Sequence, residues 1–163
     1  MADRSSRRRF IRDVAAASAA VSGVGVDALS AQQTGRIRGY DHVALPMENT
    51  DAMLAFYRAL GCDVSESPNF CSVYFGDNMI NFHRPVLWQR ESFTLRAPAA
   101  KPPCGDLCFV WEGTPESLKA MLDHAGAKVE LGPVARQGGR RKTASSVYVR
   151  DPDGNLLEFM IYP

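Results

Sequence analysis

The sequence predicts an α+β domain made of two βαβββ modules in tandem, and three observations predict it. The order strand, helix, strand, strand, strand can be read twice in the chain, over 40–83 and again over 104–161. Equivalent positions keep nearly constant offsets: His42 to Asp106 is 64, Gly61 to Gly126 is 65, and Val73-Tyr74 to Val147-Tyr148 is 74. Each half also carries one amphipathic stripe of helical period that ends at a glycine.

Each element has a local reason. Tyr40-Asp-His-Val-Ala-Leu reads as the first strand. Asn49-Thr-Asp is a helix-capping signal, and Met53, Phe56, Tyr57 and Leu60 then share one face. A strand over 62–66 follows, then Cys71-Ser-Val-Tyr-Phe-Gly, a tight turn at Asp77-Asn, and Met79-Ile-Asn-Phe-His. In the second half Cys104-Gly-Asp-Leu-Cys-Phe-Val opens the module, and Thr114-Pro-Glu starts a helix with Pro at its first position. Leu118, Met121, Leu122 and Ala125 repeat the stripe. The strands at 128–131 and Ser146-Val-Tyr-Val come next, then the turn Asp151-Pro-Asp-Gly-Asn and the closing run Leu156-Leu-Glu-Phe-Met-Ile. Its longer turn makes Glu158 the mate of Asn81, at an offset of 77. The Pro-rich segment 85–103 connects module one, about 37–84, to module two, about 104–163, and its Trp88 and Phe93 suit a connector draped over the body.

Composition narrows the function classes. The chain has 163 residues, 45% hydrophobic, which suits one domain with its own core. Residues 1–31 hold five arginines and three aspartates, which leaves 14 basic and 15 acidic side chains in the body. A body of net charge near −1 gives no reason to expect nucleic acid or an anionic membrane as partner. Ser6-Arg-Arg-Arg-Phe-Ile-Arg, followed by a short Ala/Gly-rich apolar stretch and Ala28-Leu-Ser-Ala, has the layout of a signal peptide. It resembles the twin-arginine export signal, which implies an exported, periplasmic or secreted mature protein over 32–163 with no stable membrane anchor. Cys104 and Cys108, if extended, are roughly 13 Å apart, too far to bridge. A bridge between Cys62 and Cys71 is sterically possible but unsupported, and all four cysteines read as small apolar residues.

With the repeat in place, Asp41-His-Val-Ala-Leu, Met53-Leu-Ala-Phe-Tyr-Arg-Ala-Leu-Gly and Asp151-Pro-Asp-Gly-Asn-Leu-Leu-Glu-Phe carry a resemblance to the vicinal oxygen chelate superfamily, over 37–163. That superfamily contains glyoxalases, ring-cleaving dioxygenases and bleomycin-resistance proteins. Ile80-Asn-Phe-His, Gly132-Pro-Val-Ala-Arg and Val147-Tyr-Val-Arg-Asp-Pro-Asp are similar to its small glyoxalase-like members, some labelled virulence-associated. The resemblance implies a half-open barrel of mixed sheet around a shared site, a small-molecule substrate and a homodimer.

Glu158 is the only charge in an otherwise apolar strand, and a buried carboxylate needs a positive partner. Arg136, Arg140 and Arg150 are possible partners, and a metal ion is another. Alternation places His42, Asp106 and Glu158 towards a concavity between the modules, with Asn81 and His83 sharing one direction. Two imidazoles and two carboxylates make a mixed N/O set, His42, His83, Asp106 and Glu158, for a divalent ion such as Zn, Ni, Mn or Fe. The two histidines have plainer readings: a core histidine at 42 and a rim residue at 83. In bacterial glyoxalases the position of Asp106 is usually a histidine and that of Asn81 a glutamate, so the types are changed here.

The expected reaction is a glyoxalase-like lyase or isomerase step on a substrate that offers two adjacent oxygens, with His42 and Glu158 as catalytic groups. Ring cleavage by a ferrous facial triad is one alternative. A metal-free module that sequesters an antibiotic-like compound is another. Tyr74, Tyr148, Asn81 and Arg140 are candidate substrate contacts. The loop Arg136-Gln-Gly-Gly-Arg-Arg-Lys reads either as a solvated loop or as a flap for an anionic substrate.

Overall fold

The computed structural model describes residues 35–163, so the expected export signal lies outside the described residues. Tyr40–Pro163 fold as one compact unit. The elements are β1 (His42–Pro46), α1 (Thr50–Ala59), β2 (Asp63–Glu66), β3 (Phe70–Phe75) and β4 (Asn78–His83), then a short α2 (Pro85–Trp88). The second module follows as β5 (Asp106–Val110), α3 (Pro115–His124), β6 (Val129–Gln137), β7 (Thr143–Arg150) and β8 (Leu156–Ile161).

The strands form two four-stranded sheets with the same order, β1-β4-β3-β2 and β5-β8-β7-β6. In each, the first strand runs parallel to the last, as a strand–helix crossover requires, and the other pairs are antiparallel. These are the two expected βαβββ modules in tandem, not closed into a barrel, since β1 and β5 each pair only within their own module.

Alternation divides the residues of each sheet between a packed face and an open face. Leu45, Cys71, Val73, Ile80 and Phe82 from the first sheet and Val149, Leu157 and Phe159 from the second are buried. They join Met53, Phe56 and Tyr57 of α1 and Leu118 and Leu122 of α3 in one continuous cluster. The ring of Phe75 meets that of Phe109 edge to face at 5.0 Å, which carries the core across the module boundary. The glycines that end the helix stripes adopt the left-handed backbone, φ 85° at Gly61 and 67° at Gly126. There Cys62 N–H donates back to Tyr57 and Ala127 N–H to Leu122, closing each helix.

The two helices start differently. Thr114 caps α3 through its hydroxyl, which accepts from Ser117 N–H at 3.2 Å. Asn49 makes no such cap. Instead the Asp153 carboxylate, from the other module, accepts Glu48 N–H at 2.7 Å, Asn49 N–H at 2.8 Å and the Asn49 amide at 2.9 Å. Asp151 accepts from the Tyr57 hydroxyl of α1, and from the backbone and side chain of Asn155. Asn155 Oδ1 in turn accepts Cys104 N–H and Gly105 N–H. The turn Asp151-Pro-Asp-Gly-Asn is thus a clasp holding both modules.

Asn155 is buried, and removing its amide strands two backbone donors. Asn155→Ala should lower unfolding stability by about 2–3 kcal/mol. Urea unfolding with an unchanged midpoint would show that the clasp is dispensable.

Candidate functional site

The registers place each candidate residue. In the first sheet His42 lies opposite Met79, Asn81 between Ala44 and Ser72, and His83 opposite Pro46 and Phe70. His42, Asn81, His83 and Tyr74 therefore occupy one face, the one turned away from α1. In the second sheet Glu158 stands between Cys108 on β5 and Tyr148 on β7, with Asp106 two positions before Cys108 on the same side. Expected alternation and repeat mates agree with this pairing.

The side chains do not gather as a metal set. Among the described residues, no group of three or more His, Cys, Asp and Glu side chains is arranged to hold a metal ion. His83 is only 5% exposed and lies between the rings of Phe70, at 5.4 Å, and Phe93, at 5.1 Å. Phe93 belongs to the connector, so the segment expected to drape over the body covers this histidine. Burial first, and then the nearby Arg96, hold the His83 pKa below its ordinary value. His42 stays on the exposed edge strand and pairs through Nδ1 with Asp41 Oδ1 at 2.7 Å. Within one chain the expected set of His42, His83, Asp106 and Glu158 is not gathered: His83 is packed between two rings, and His42 lies on the first sheet while Asp106 and Glu158 lie on the second.

Glu158 keeps its unusual position. Its Oε1 is buried and has no hydrogen-bond partner, and the same is true of Ser146 Oγ, a diagonal neighbour on the same face. The arginines that might have neutralised it are engaged elsewhere. Arg150 pairs with Glu130 at 3.2 Å, Arg136 Nε donates to the Tyr148 hydroxyl at 3.2 Å, and the Arg140 guanidinium lies 4.9 Å from the centre of the Tyr162 ring. A buried carboxylate oxygen without a donor is costly, so a group bound from outside would find it ready.

Its neighbours feel the carboxylate. Although the residue keeps exposed surface, partial desolvation of its thiol first, then Glu158 and Asp106, push Cys108 up to about 12, so this cysteine stays protonated and is a weak nucleophile near neutral pH. Burial and then Glu158 also raise the Tyr148 phenol, against the opposing effect of Arg136. All four cysteines are free, and Cys108 is exposed beside Glu158 instead of serving as packing. The sequence signal for Cys108 was the repeat itself, which aligns it with Ala44 on the same open face. In the sequence Arg136 reads as a counter-charge for Glu158 or as part of a basic flap, whereas in the structure it turns to Tyr148. The basic loop of the second module packs Arg140 on Tyr162 and leaves no room for a side chain at Gly138, where the Tyr162 hydroxyl lies.

Comparison with known proteins is consistent with this architecture. Residues 39–159 match the model of the Glyoxalase/Bleomycin resistance protein/Dioxygenase superfamily. The chain is 32% identical over 127 residues to the glyoxalase domain-containing protein RDO1 of Mycosarcoma maydis, covering 77% of this chain and 69% of that protein. It is 32% identical over 124 residues to the virulence protein STM3117 of Salmonella typhimurium, covering 75% and 83%. The crystal structure of STM3117 superposes with a TM-score of 0.69 at 30% identity, over 79% of this chain and all of that one (100%). An integron cassette protein from V. cholerae gives a TM-score of 0.69 at 28% identity, over 79% and 98%. At 22% identity, a lactoylglutathione lyase from Agrobacterium tumefaciens shares the fold, with a TM-score of 0.57 over 78% and 96%.

Because His83 is held neutral, unfolding takes up a proton between its depressed pKa and the ordinary imidazole value of about 6.5. Its contribution to stability is present above about pH 6.5 and is lost as the pH falls through the folded pKa. His83→Gln should remove that part of the pH dependence in urea titrations from pH 5 to 8. An identical slope in the two proteins would mean that His83 does not report burial.

Proposed function

Because the chain belongs to the glyoxalase/bleomycin resistance protein/dioxygenase superfamily, we propose that it is a glyoxalase-like lyase or isomerase acting on a small molecule with two adjacent oxygens. The open face of the second sheet is the proposed site, and Glu158 is the proposed proton-moving group. One observation carries this reading: the Glu158 carboxylate holds a buried oxygen, Oε1, with no hydrogen-bond donor. Isomerisation at adjacent oxygenated carbons needs a base to take a proton from one carbon and return it to its neighbour. Tyr148, directly opposite Glu158 and backed by Arg136, is placed to donate to the oxygen on which negative charge develops.

Superfamily members commonly use a divalent ion. The orphaned Glu158 oxygen suits a cation, but the donors of one chain do not make a full ligand set, and no step here runs through an ion. A homodimer belongs to the same reading. Tyr74, Val110 and Leu131, on the open faces of the two sheets, are more than 40% exposed, and a second copy would cover them.

The test is turnover of the hemithioacetal of glutathione and methylglyoxal, alongside oxygen uptake on catechols, with wild type and Glu158→Gln. Glu158→Gln should reduce isomerisation by at least about 100-fold while the protein stays folded. Oxygen uptake in place of isomerisation would establish the ring-cleaving alternative. Tight binding of an antibiotic-like compound without turnover of either substrate would establish the sequestering one.

A further inference from the structure

The geometry points to the chemical class of the ligand: we propose that the second sheet binds a small 2-hydroxy carboxylic acid, with its carboxylate on Arg136 and its neighbouring hydroxyl at Glu158. This rests on Glu158 marking the site and adds a specificity-determining residue to it.

Arg136 is positioned before any ligand arrives. Its Nε donates to the Tyr148 hydroxyl at 3.2 Å, and one terminal nitrogen donates to its own neighbour's carbonyl, Ala135 O, at 3.1 Å. The guanidinium carbon lies 5.8 Å from the centre of the Tyr148 ring. These contacts fix the plane of the fork and leave its other terminal nitrogen free, so less side-chain entropy is lost when an anion docks. The turn that follows its strand is itself tied down, because Arg140 stacks on Tyr162 and Arg140 N–H donates to the Tyr162 hydroxyl.

The charge there is uncompensated. Among the described residues the arginine and lysine salt bridges involve Arg58, Arg84, Lys119 and Arg150. Arg136, Arg140, Arg141 and Lys142, on one hairpin, have no carboxylate within salt-bridge distance, so the hairpin presents a positive field to small anions.

Glu158 supplies the second requirement. Tyr148 stands between the two charged groups: its hydroxyl accepts from Arg136, and its ring position is opposite Glu158. A ligand that bridges Arg136 and Glu158 past Tyr148 must offer an acceptor anion at one end and a donor at the other. A hydroxyl next to a carboxylate meets both conditions. A phosphate dianion fits less well, because a single fixed guanidinium faces it while Glu158 repels its second charge.

The experiment titrates the full chain with lactate, lactamide and inorganic phosphate, followed by amide and arginine Nε–H resonances. Lactate should bind about tenfold tighter than lactamide, as one charge-assisted pair provides, and should shift the Arg136 Nε–H signal. Arg136→Met should reduce that preference to within about twofold, Arg136→Lys should retain part of it, and Glu158→Gln should weaken lactate and lactamide alike. Equal binding of lactate and lactamide, a preference that survives Arg136→Met, stronger binding of phosphate than of lactate, or no binding of lactate would each overturn the proposal. Glu158-dependent binding of both lactate and lactamide without preference leaves the isomerase reading standing and removes only this one. A lactate preference that depends on Arg136, in a protein that turns over neither glyoxalase substrate nor catechol, does the opposite.

Discussion

The Asp151–Asn155 turn is the constraint on which the two modules depend. The two modules share one hydrophobic core, so each packs against the other. The shared core supplies much of that contact, but apolar packing tolerates sliding. The clasp does not, because Asp153 takes two backbone amides before α1, Asp151 takes the Tyr57 hydroxyl, and Asn155 Oδ1 takes two amides before β5. These directional bonds set where β8 begins, and Leu156 N–H donating to Gly105 O continues the register without a gap. Glu158 lies three positions beyond Asn155, so the clasp also decides that its carboxylate emerges between Cys108 and Tyr148 and not one position over, on the packed face.

The two modules keep their packed faces alike and let their open faces differ. Val73 and Val147, Leu45 and Phe109, Phe82 and Phe159 are apolar in both halves, since both line one core. On the open side the mates diverge: Ala44 becomes Cys108, His42 becomes Asp106 and Asn81 becomes Glu158. The connector completes the asymmetry. It places Phe93 against His83 and Trp88 against Met47 O, which closes one end of the first face. The second module keeps its orphaned carboxylate, its phenol and its unpaired arginine.

Much of the fold was legible because it rests on local signals with a physical cause. Helical stripes, glycine stops, a Thr-Pro start and a repeated strand order are each short-range and reinforced by duplication. Where local reading erred, a distant group had intervened. Asn49 has the residue type of a cap, yet Asp153 from 104 positions away does the work at that helix start. His83 has the residue type of a ligand, yet two aromatic rings enclose it.

By itself, the sequence determined the duplicated βαβββ order, the alternation that sends Glu158 to the face opposite Leu157 and Phe159, and the absence of an apolar reason for its charge. These follow from chain periodicity, which needs no partner. Only the tertiary structure decided that His83 is packed away, that Arg136 turns to Tyr148 instead of Glu158, and that Cys108 stands beside the carboxylate. Those outcomes depend on which long-range contacts win when several side chains compete for the same space, and residue type and spacing do not encode that competition.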